Sequence, residues 1–412
     1  MWDVDWRLLG TRVWRWTLLV GGVIALVVAG WFVYRELMVE HYRKALVKRG
    51  FHDSYARPLS RVQFEHPKWQ FIPIRIDDLK WKDAVTKETT PGWNLVVYAT
   101  WAAGKWGYLK EKNYTPYYAE NAKAYDSGAW YQASEEAIAY FMDPREFLNE
   151  RDIFMFETLG FDEASQGLDV VEHMLSTTFM AGKTYDGGKE TFAALVHRVG
   201  AKHGVSPVFL AGRLMSEQST GSVQAFGKIG DALAVYATNE TGKVGAQVIW
   251  GRSYAKDNAA TRKVLAKGTD AYNGYYNFFN FRAYGDGVFE IKYNAYLEAL
   301  KTDAKYLGPW TTQARAIEGG AIKIKERYID TKRHTRYLQK FSVLPLAGEF
   351  RWKQYMQNIA APLAEARNTA KAYEAAGTLD APYRFLIPVY RQMPKSASPD
   401  PAKGRSIYSP SR

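Results

Sequence analysis

The chain has 412 residues, 47% hydrophobic and 15% aromatic, with a formal net charge of +12 and no cysteine. The lack of thiols excludes a disulfide frame, a cysteine nucleophile and thiolate metal sites, and it suits an exported protein that folds without oxidation. The positive charge fits a solvated basic surface or attraction to a polyanion such as nucleic acid, anionic lipid or acidic wall polymer; no helix-turn-helix, RNA-binding or zinc-finger pattern supports nucleic acid.

The first element is the run WTLLVGGVIALVVAGWFVY at 16–34, uncharged and bracketed by Arg15 and Arg35. As a helix it spans about 28 Å at roughly 1.5 Å per residue, close to a bilayer core of about 30 Å. Trp14, Trp16, Trp31 and Tyr34 lie near its ends, where amphipathic rings favour the headgroup region. No small-x-small cleavage site follows, since the next residues are Arg35, Glu36, Leu37 and Met38, and this favours a retained single-pass anchor over a cleaved signal peptide. Among the flanking cations, Arg7, Arg12 and Arg15 stand against Arg35, Arg43, Lys44, Lys48 and Arg49. That bias leans toward a cytoplasmic C-terminal part, although long domains cross regardless of charge.

Residues 1–15 are therefore a short terminal segment, 16–34 the anchor, and 35–130 a membrane-proximal region. Within that region 37–50 reads as a short amphipathic helix that continues the anchor and stops at Gly50. The alternating stretches 71–76 and 93–98 read as strands, and the Tyr-, Pro- and Asn-rich tract 114–125 as a loop. From about Ser134 helical periodicity takes over. Candidate helices are 134–142, 144–158, 168–179, 188–203, 206–220, 227–237, 258–267, 290–304, 311–329, 334–342 and 351–376. Ser206 followed by Pro207 is a capped helix start, and Gly377 is a stop. These helices place a mainly α domain over 131–380. The tail 381–412 turns rich in Pro, Ser and basic residues from about 394, with too little apolar surface to fold, so disorder is expected there.

The sharpest chemical signal is SPVFLAGRLMSEQSTG at 206–221. Glu217 lies three residues after Leu214 and seven after Leu210, on the apolar face of a helix that ends at Gly221. Desolvation and the negative helix end both raise a carboxyl pKa. A carboxylic acid still protonated near neutral pH is what glycosidic cleavage requires. The plain alternative is a salt-bridged helical glutamate, with Arg213 four residues earlier. A second feature is the aromatic stretch DAYNGYYNFFNFRAYG at 270–285. Such rings stack on sugar faces while Tyr and Asn bond hydroxyl and acetamido groups, but a packed aromatic hairpin fits the same composition. The seven His are scattered without metal-ligand spacing, and no Walker loop, GxSxG or GxGxxG is present, so no cofactor and no metal are expected.

Several segments, taken together, resemble the bacterial endo-β-N-acetylglucosaminidases, the glucosaminidase-domain autolysins of glycoside hydrolase family 73, most of all the membrane-anchored Gram-positive kind. FMDPREFLNE at 141–150 with IFMFE at 153–157 resembles the family's lead-in. Glu217 and Gly221 match its E-x-x-x-G catalytic phrase, and YNFF at 276–279 its YNFFG phrase, with Asn280 in place of the glycine. GPWTT at 308–312, RAIEGGA at 315–321, YI at 328–329, YLQKF at 337–341 and QYMQNIAAP at 354–362 follow in the family's order, with Lys353 where a His is expected. The stretch 238–267 is longer than the family norm.

The resemblance implies a lysozyme-like, mainly helical glucosaminidase domain with a small β element. It also implies hydrolysis of peptidoglycan glycan strands after N-acetylglucosamine during wall growth or remodelling. Glu217 would be the general acid and Tyr276 would steady the sugar or water. Gly221, Tyr275, Asn277, Phe279 and Trp310 would contribute to substrate binding. Glu240 is the candidate second carboxylate, with Asp231 and Asp286 as lesser ones; otherwise the substrate's own acetamido group serves as nucleophile. The substrate then places the catalytic domain outside the cell membrane with the N-terminus cytoplasmic, and acidic wall polymers or a membrane partner are further contacts. Two other readings are a catalytically weak glycan-binding scaffold and a lytic transglycosylase.

Overall fold

The computed structural model describes residues 6–97, 117–119, 122–125, 130–240, 259–285, 288–341, 343–344 and 354–401. They fall into two units, divided between Pro67 and Lys68.

The first unit is a helical hairpin. Helix α1 (Trp6–Lys48) includes a stretch of mean hydropathy 1.7 that is almost wholly exposed, suiting a bilayer span or a signal sequence by length and composition. The helix expected over 37–50 continues the anchor helix as one element, α1, to Lys48. Gly50, at φ 109°, turns the chain into α2 (Asp53–Glu65). Arg43 ties the hairpin, bonding Glu40 at 2.7 Å and also Asp53, while the Phe64 ring meets Trp31 and Tyr34 at 6.5 and 6.4 Å. Leu46, Phe51, Tyr55 and Leu59 are among its buried apolar residues.

The second unit runs β1 (Gln70–Lys80), α3 (Trp81–Glu88), β2 (Leu95–Val97), β3 (Ala124–Tyr125), β4 (Trp130–Gln132), α4 (Glu135–Met142), α5 (Leu168–Leu175), α6 (Phe192–His203), α7 (Pro207–Gln218), α8 (Ile229–Glu240), α9 (Ala259–Lys267), α10 (Val288–Ala299), α11 (Gln313–Ile324), α12 (Arg336–Lys340), α13 (Ala361–Ala375) and β5 (Arg384–Arg391). It is mainly α, with β1 and β5 paired in parallel, Gln70 opposite Arg384, and a small antiparallel sheet in the order β2-β4-β3. The β1–β5 pair closes a long sequence separation over an aromatic cluster. Trp69 meets Phe154, Tyr383 and Phe385 at 5.4, 6.0 and 5.1 Å, and its indole N–H donates to Leu379 O at 2.8 Å. Helix α7 lies against α5, α6 and α13, and its residues from Pro207 to Leu214 are all buried. A second core joins α8, α9 and α10 through Ile229, Leu233, Val264, Tyr272, Phe289 and Tyr296.

Several stretches differ from the sequence reading, among them the helix over 351–376, which begins only at Ala361, and the helix over 290–304, which ends at Ala299. The helix expected over 144–158 is two 3₁₀ turns, Pro144–Phe147 and Asp152–Phe156. Asp143 caps the first turn at Arg145 N and Asn149 caps the second at Asp152 N; such local side-chain bonds compete with a continuous helix. The helix over 311–329 stops at Ile324 and passes into a π turn, Lys325–Ile329. Disorder is expected from about 394; residues 402–412 lie outside the described residues, whereas 394–400 are anchored. The buried Arg145 guanidinium donates to Pro394 O and Ser396 O at 2.7 and 2.9 Å, and Ser398 N donates to Asp143. Tyr117 bonds Asp400. Backbone carbonyls captured by one buried cation replace the apolar surface that the tail lacks.

Buried charge is the other organising feature. Glu365 on α13 accepts from Arg213 at 2.7 Å and lies 3.8 Å from Arg336. Arg336 in turn bonds Glu157 at 3.0 Å and Thr369 at 2.9 Å, and Tyr373 donates to Glu157 at 2.5 Å. Two guanidiniums and two carboxylates thus cancel inside the helical core. Removing one member leaves an uncompensated buried charge, which costs about 3–5 kcal/mol. Glu365→Ala is expected to destabilise the full chain by about that amount in denaturant unfolding, with Glu365→Gln milder because its amide oxygen still accepts. Equal stability of Glu365→Ala and the parent would show that the network carries no weight.

Candidate active site

The buried helix α7 opens as its sequence predicts: Ser206 Oγ accepts from Phe209 N at 3.1 Å and Pro207 occupies the first turn. The face changes in its last turn. Ser216 is exposed, Glu217 is half-buried and Gln218 is buried. Gly221 follows at φ 77°, where a Cβ would come within 2.5 Å of the Phe226 ring and 3.2 Å of Phe179. A side chain there would push apart the Phe179–Phe226 pair, whose rings lie 4.8 Å apart with Phe226 47% exposed beside the helix end.

Both carboxyl oxygens of Glu217 accept a hydrogen bond. Asn280 Nδ2 donates to Oε2 at 2.6 Å, and Tyr355 Oη donates to Oε1 at 3.0 Å. Arg213 is not its ion-pair partner. That guanidinium is spent on Glu365 and on Gln339 Oε1 at 2.8 Å, and it lies 3.2 Å from the centre of the Tyr355 ring. Arg213 therefore supports the ring of Tyr355, and its charge reaches Glu217 without a hydrogen bond. Burial pushes the Glu217 carboxyl above the ordinary glutamate value; the bonds from Asn280 and Tyr355 and the charge of Arg213 pull it back, Glu365 adds a small push, and burial prevails. Burial also holds the Tyr355 hydroxyl well above its usual range, so it stays protonated and can donate.

The aromatic stretch 270–285 is both site and core. After a 3₁₀ turn, Thr269–Tyr272, the chain crosses the end of α7. Gln218 Nε2 bonds Phe278 O at 3.2 Å, pinning the helix end to this turn. Asn277 is fully buried; its amide donates to Phe281 O and Ala295 O and accepts from Phe281 N, so it braces the turn from inside instead of facing a ligand. Phe279 is 7% exposed and lies on Gly320, where a Cβ would sit 2.3 Å from its ring. Trp310 is 2% exposed and donates to Tyr306 O at 2.8 Å, beneath the turn. Tyr275 packs edge-on against Tyr296 at 5.3 Å. Tyr276 lies over Gly227, its N–H donating to Trp310 O, and among the described residues no hydrogen bond links it to Glu217.

Of the second-carboxylate candidates, only Asp231 has a described side chain. Glu240 is the last residue of α8, and its side chain lies outside the described residues, as does Asp286. Asp231 is exposed and accepts from Asn273 at 2.9 Å. Among the described residues no cluster of His, Asp and Glu suits a metal ion.

Two partners of Glu217 carry no assigned role in the sequence reading. Tyr355 stands in the QYMQNIAAP phrase, and Asn280 is noted only as the residue in a glycine's place. Their contact with Glu217 is tertiary, 138 and 63 residues away in sequence.

A carboxyl raised by burial is more protonated in the folded chain than in the unfolded one. Its contribution is favourable below the ordinary glutamate value and is lost as pH rises through the raised folded value. Glu217→Gln, which cannot ionise, is expected to gain melting temperature relative to the parent as pH climbs through that window. A difference between the two that does not vary with pH would contradict the raised carboxyl.

No protein-family model matches this sequence, and no curated protein matches it. Solved structures that are similar include S. aureus glucosaminidase B, at 19% identity over 78% of this chain and 94% of that one, with a TM-score of 0.43. Major Bifunctional Autolysin is similar at 15% identity over 78% and 100%, with a TM-score of 0.40. A catalytic mutant of S. aureus Autolysin E, in complex with the disaccharide NAG-NAM, is similar at 14% identity over 77% and 98%, with a TM-score of 0.39.

Proposed function

We propose that this chain is a peptidoglycan hydrolase that cuts the glycan strand after N-acetylglucosamine, with Glu217 as general acid. The observation that carries the reading is the setting of Glu217: a carboxyl in the last turn of a buried helix, raised by burial and aimed by two neutral donors, Asn280 and Tyr355. The ordered phrases from 141 to 362 that resemble glucosaminidases support the same assignment.

In this reading Glu217 delivers its proton to the glycosidic oxygen as the bond to the anomeric carbon breaks. The carboxylate so formed is stabilised by the Asn280 amide and the Tyr355 hydroxyl, which act more strongly on the ionised than on the neutral group. Glu365 is the carboxylate, among the described residues, whose charge acts on Glu217, and it is paired with Arg213. The second group is either a carboxylate that activates water, with Glu240 the candidate, or the substrate's own acetamido oxygen, which gives an oxazoline that water opens while Glu217 recovers its proton. Tyr276, Tyr275 and the exposed Phe226 are groove residues in this account; Gly221 keeps the Phe179–Phe226 wall in place.

The membrane side follows from the substrate. Helix α1 would anchor the chain through 16–34 with a cytoplasmic N-terminus, and the catalytic unit would work on the wall side, where its positive charge suits acidic wall polymers. No role for nucleic acid is proposed.

Full-length chain in detergent is expected to digest purified peptidoglycan and release fragments with reducing-end N-acetylglucosamine by mass spectrometry. Glu217→Gln should lose about 10²–10⁴-fold in rate while still binding glycan. Anhydro-muramic ends would make the chain a lytic transglycosylase, and binding without digestion by the parent would make it a scaffold.

A further inference from the structure

Asn280 sits at φ 49°, in the left-handed region that glycine enters without strain and that Asn tolerates better than most residues. The turn itself needs no side chain at this position, and the phrase that this segment resembles has glycine there. The side chain is nonetheless engaged at both ends of its amide. Nδ2 is 2.6 Å from Glu217 Oε2, and Oδ1 accepts from Gln218 Nε2 at 3.4 Å.

The direction of these bonds is fixed by backbone groups whose polarity is not in question. Ser222 N–H can only donate, so the Gln218 atom that it meets at 3.2 Å is Oε1. Phe278 C=O can only accept, so the Gln218 atom facing it is Nε2. Gln218 Nε2 then requires an acceptor in Asn280, which turns the nitrogen of Asn280 toward Glu217. The helix end and the turn thus lock one amide into a donor aimed at the carboxyl.

We infer that Asn280 is a positioning residue for Glu217, fixing the carboxyl's orientation and favouring its ionised form through a donor that cannot reverse. The inference rests on the acid role proposed above. An amide N–H has no lone pair to receive a proton, so the proton that Glu217 delivers cannot occupy the Oε2 lone pair that Asn280 fills. Tyr355, by contrast, can turn its hydroxyl to accept. Among the described residues, the charged and titratable groups around the carboxyl are Arg213 on the same helix, Glu365 on α13, and Tyr355, whose ring meets that of Tyr328 at 6.1 Å. Asn280 does not titrate, so removing it alters the balance without adding or deleting a charge. Its bond opposes the rise that burial imposes on Glu217.

The test is Asn280→Gly, which keeps the left-handed turn and deletes the amide, and Asn280→Asp, which keeps the shape and replaces the donor by an acceptor. Glu217 is followed by ¹³C carboxyl titration in the full chain, assigned against Glu217→Gln, and the pH–rate profile of peptidoglycan digestion is recorded beside it. In Asn280→Gly the titration midpoint and the basic limb of the rate profile should both move to higher pH, with kcat at the optimum lowered about tenfold as the carboxyl loses its aim. Asn280→Asp should move both further, through like-charge repulsion. A midpoint unchanged in either variant overturns the inference; should the glycine variant not fold, the aspartate variant decides it alone. If the parent cuts no peptidoglycan, the hydrolase reading fails while the carboxyl titration still decides the role of Asn280. If the parent cuts, Glu217→Gln does not, and Asn280→Gly leaves the midpoint in place, this inference fails alone.

Discussion

The candidate site depends on the buried placement of Glu365 between two arginines. Glu365 reaches Arg213 on α7 and approaches Arg336 on α12, which carries the network to Glu157 and Tyr373. Charges this deep are costly unless each finds its partner in good geometry, so the helices that bear them have little freedom to shift against one another. Arg213 lies one helical turn before Glu217. A helix fixed at Arg213 therefore delivers Glu217 at a fixed height and angle, and the same guanidinium supports the ring of Tyr355 whose hydroxyl meets the carboxyl.

The environment of Glu217 is a balance rather than a simple burial. Surrounding atoms remove it from water and favour the neutral acid, while Asn280 and Tyr355 favour the anion. A general acid needs both properties: a proton held near neutral pH, and stabilisation of the carboxylate once that proton has left. Holding an ionisable group where its charge is disfavoured costs stability at higher pH, the kind of local conflict expected where sequence serves chemistry rather than folding.

Much of this architecture is visible in local sequence. The start of α7 follows from Ser206 and Pro207, and the phase of Glu217 from Leu210 and Leu214, because helix capping and periodicity are short-range effects. The helix expected at 144–158 is not formed because Asp143 and Asn149 satisfy backbone N–H groups in tighter turns. Trp310 and Asn277 are expected at the substrate from the family resemblance, yet the structure buries them, since aromatic and amide groups suit a satisfied core as well as a groove. Asn280 and Tyr355 meet Glu217 only through tertiary placement, which no periodicity encodes. The anchored tail has the same origin: its contacts depend on one buried arginine far away in the chain.

The account rests on a protonated Glu217 presented to a glycosidic oxygen. The most direct measurement is a crystal structure of the full chain carrying Glu217→Gln with a tetrasaccharide of alternating N-acetylglucosamine and N-acetylmuramic acid. The account predicts a glycan lying across the end of α7, with the oxygen that follows an N-acetylglucosamine about 3 Å from the residue 217 side chain. A glycan bound away from residue 217, or one lying there with the opposite linkage at that oxygen, would contradict it.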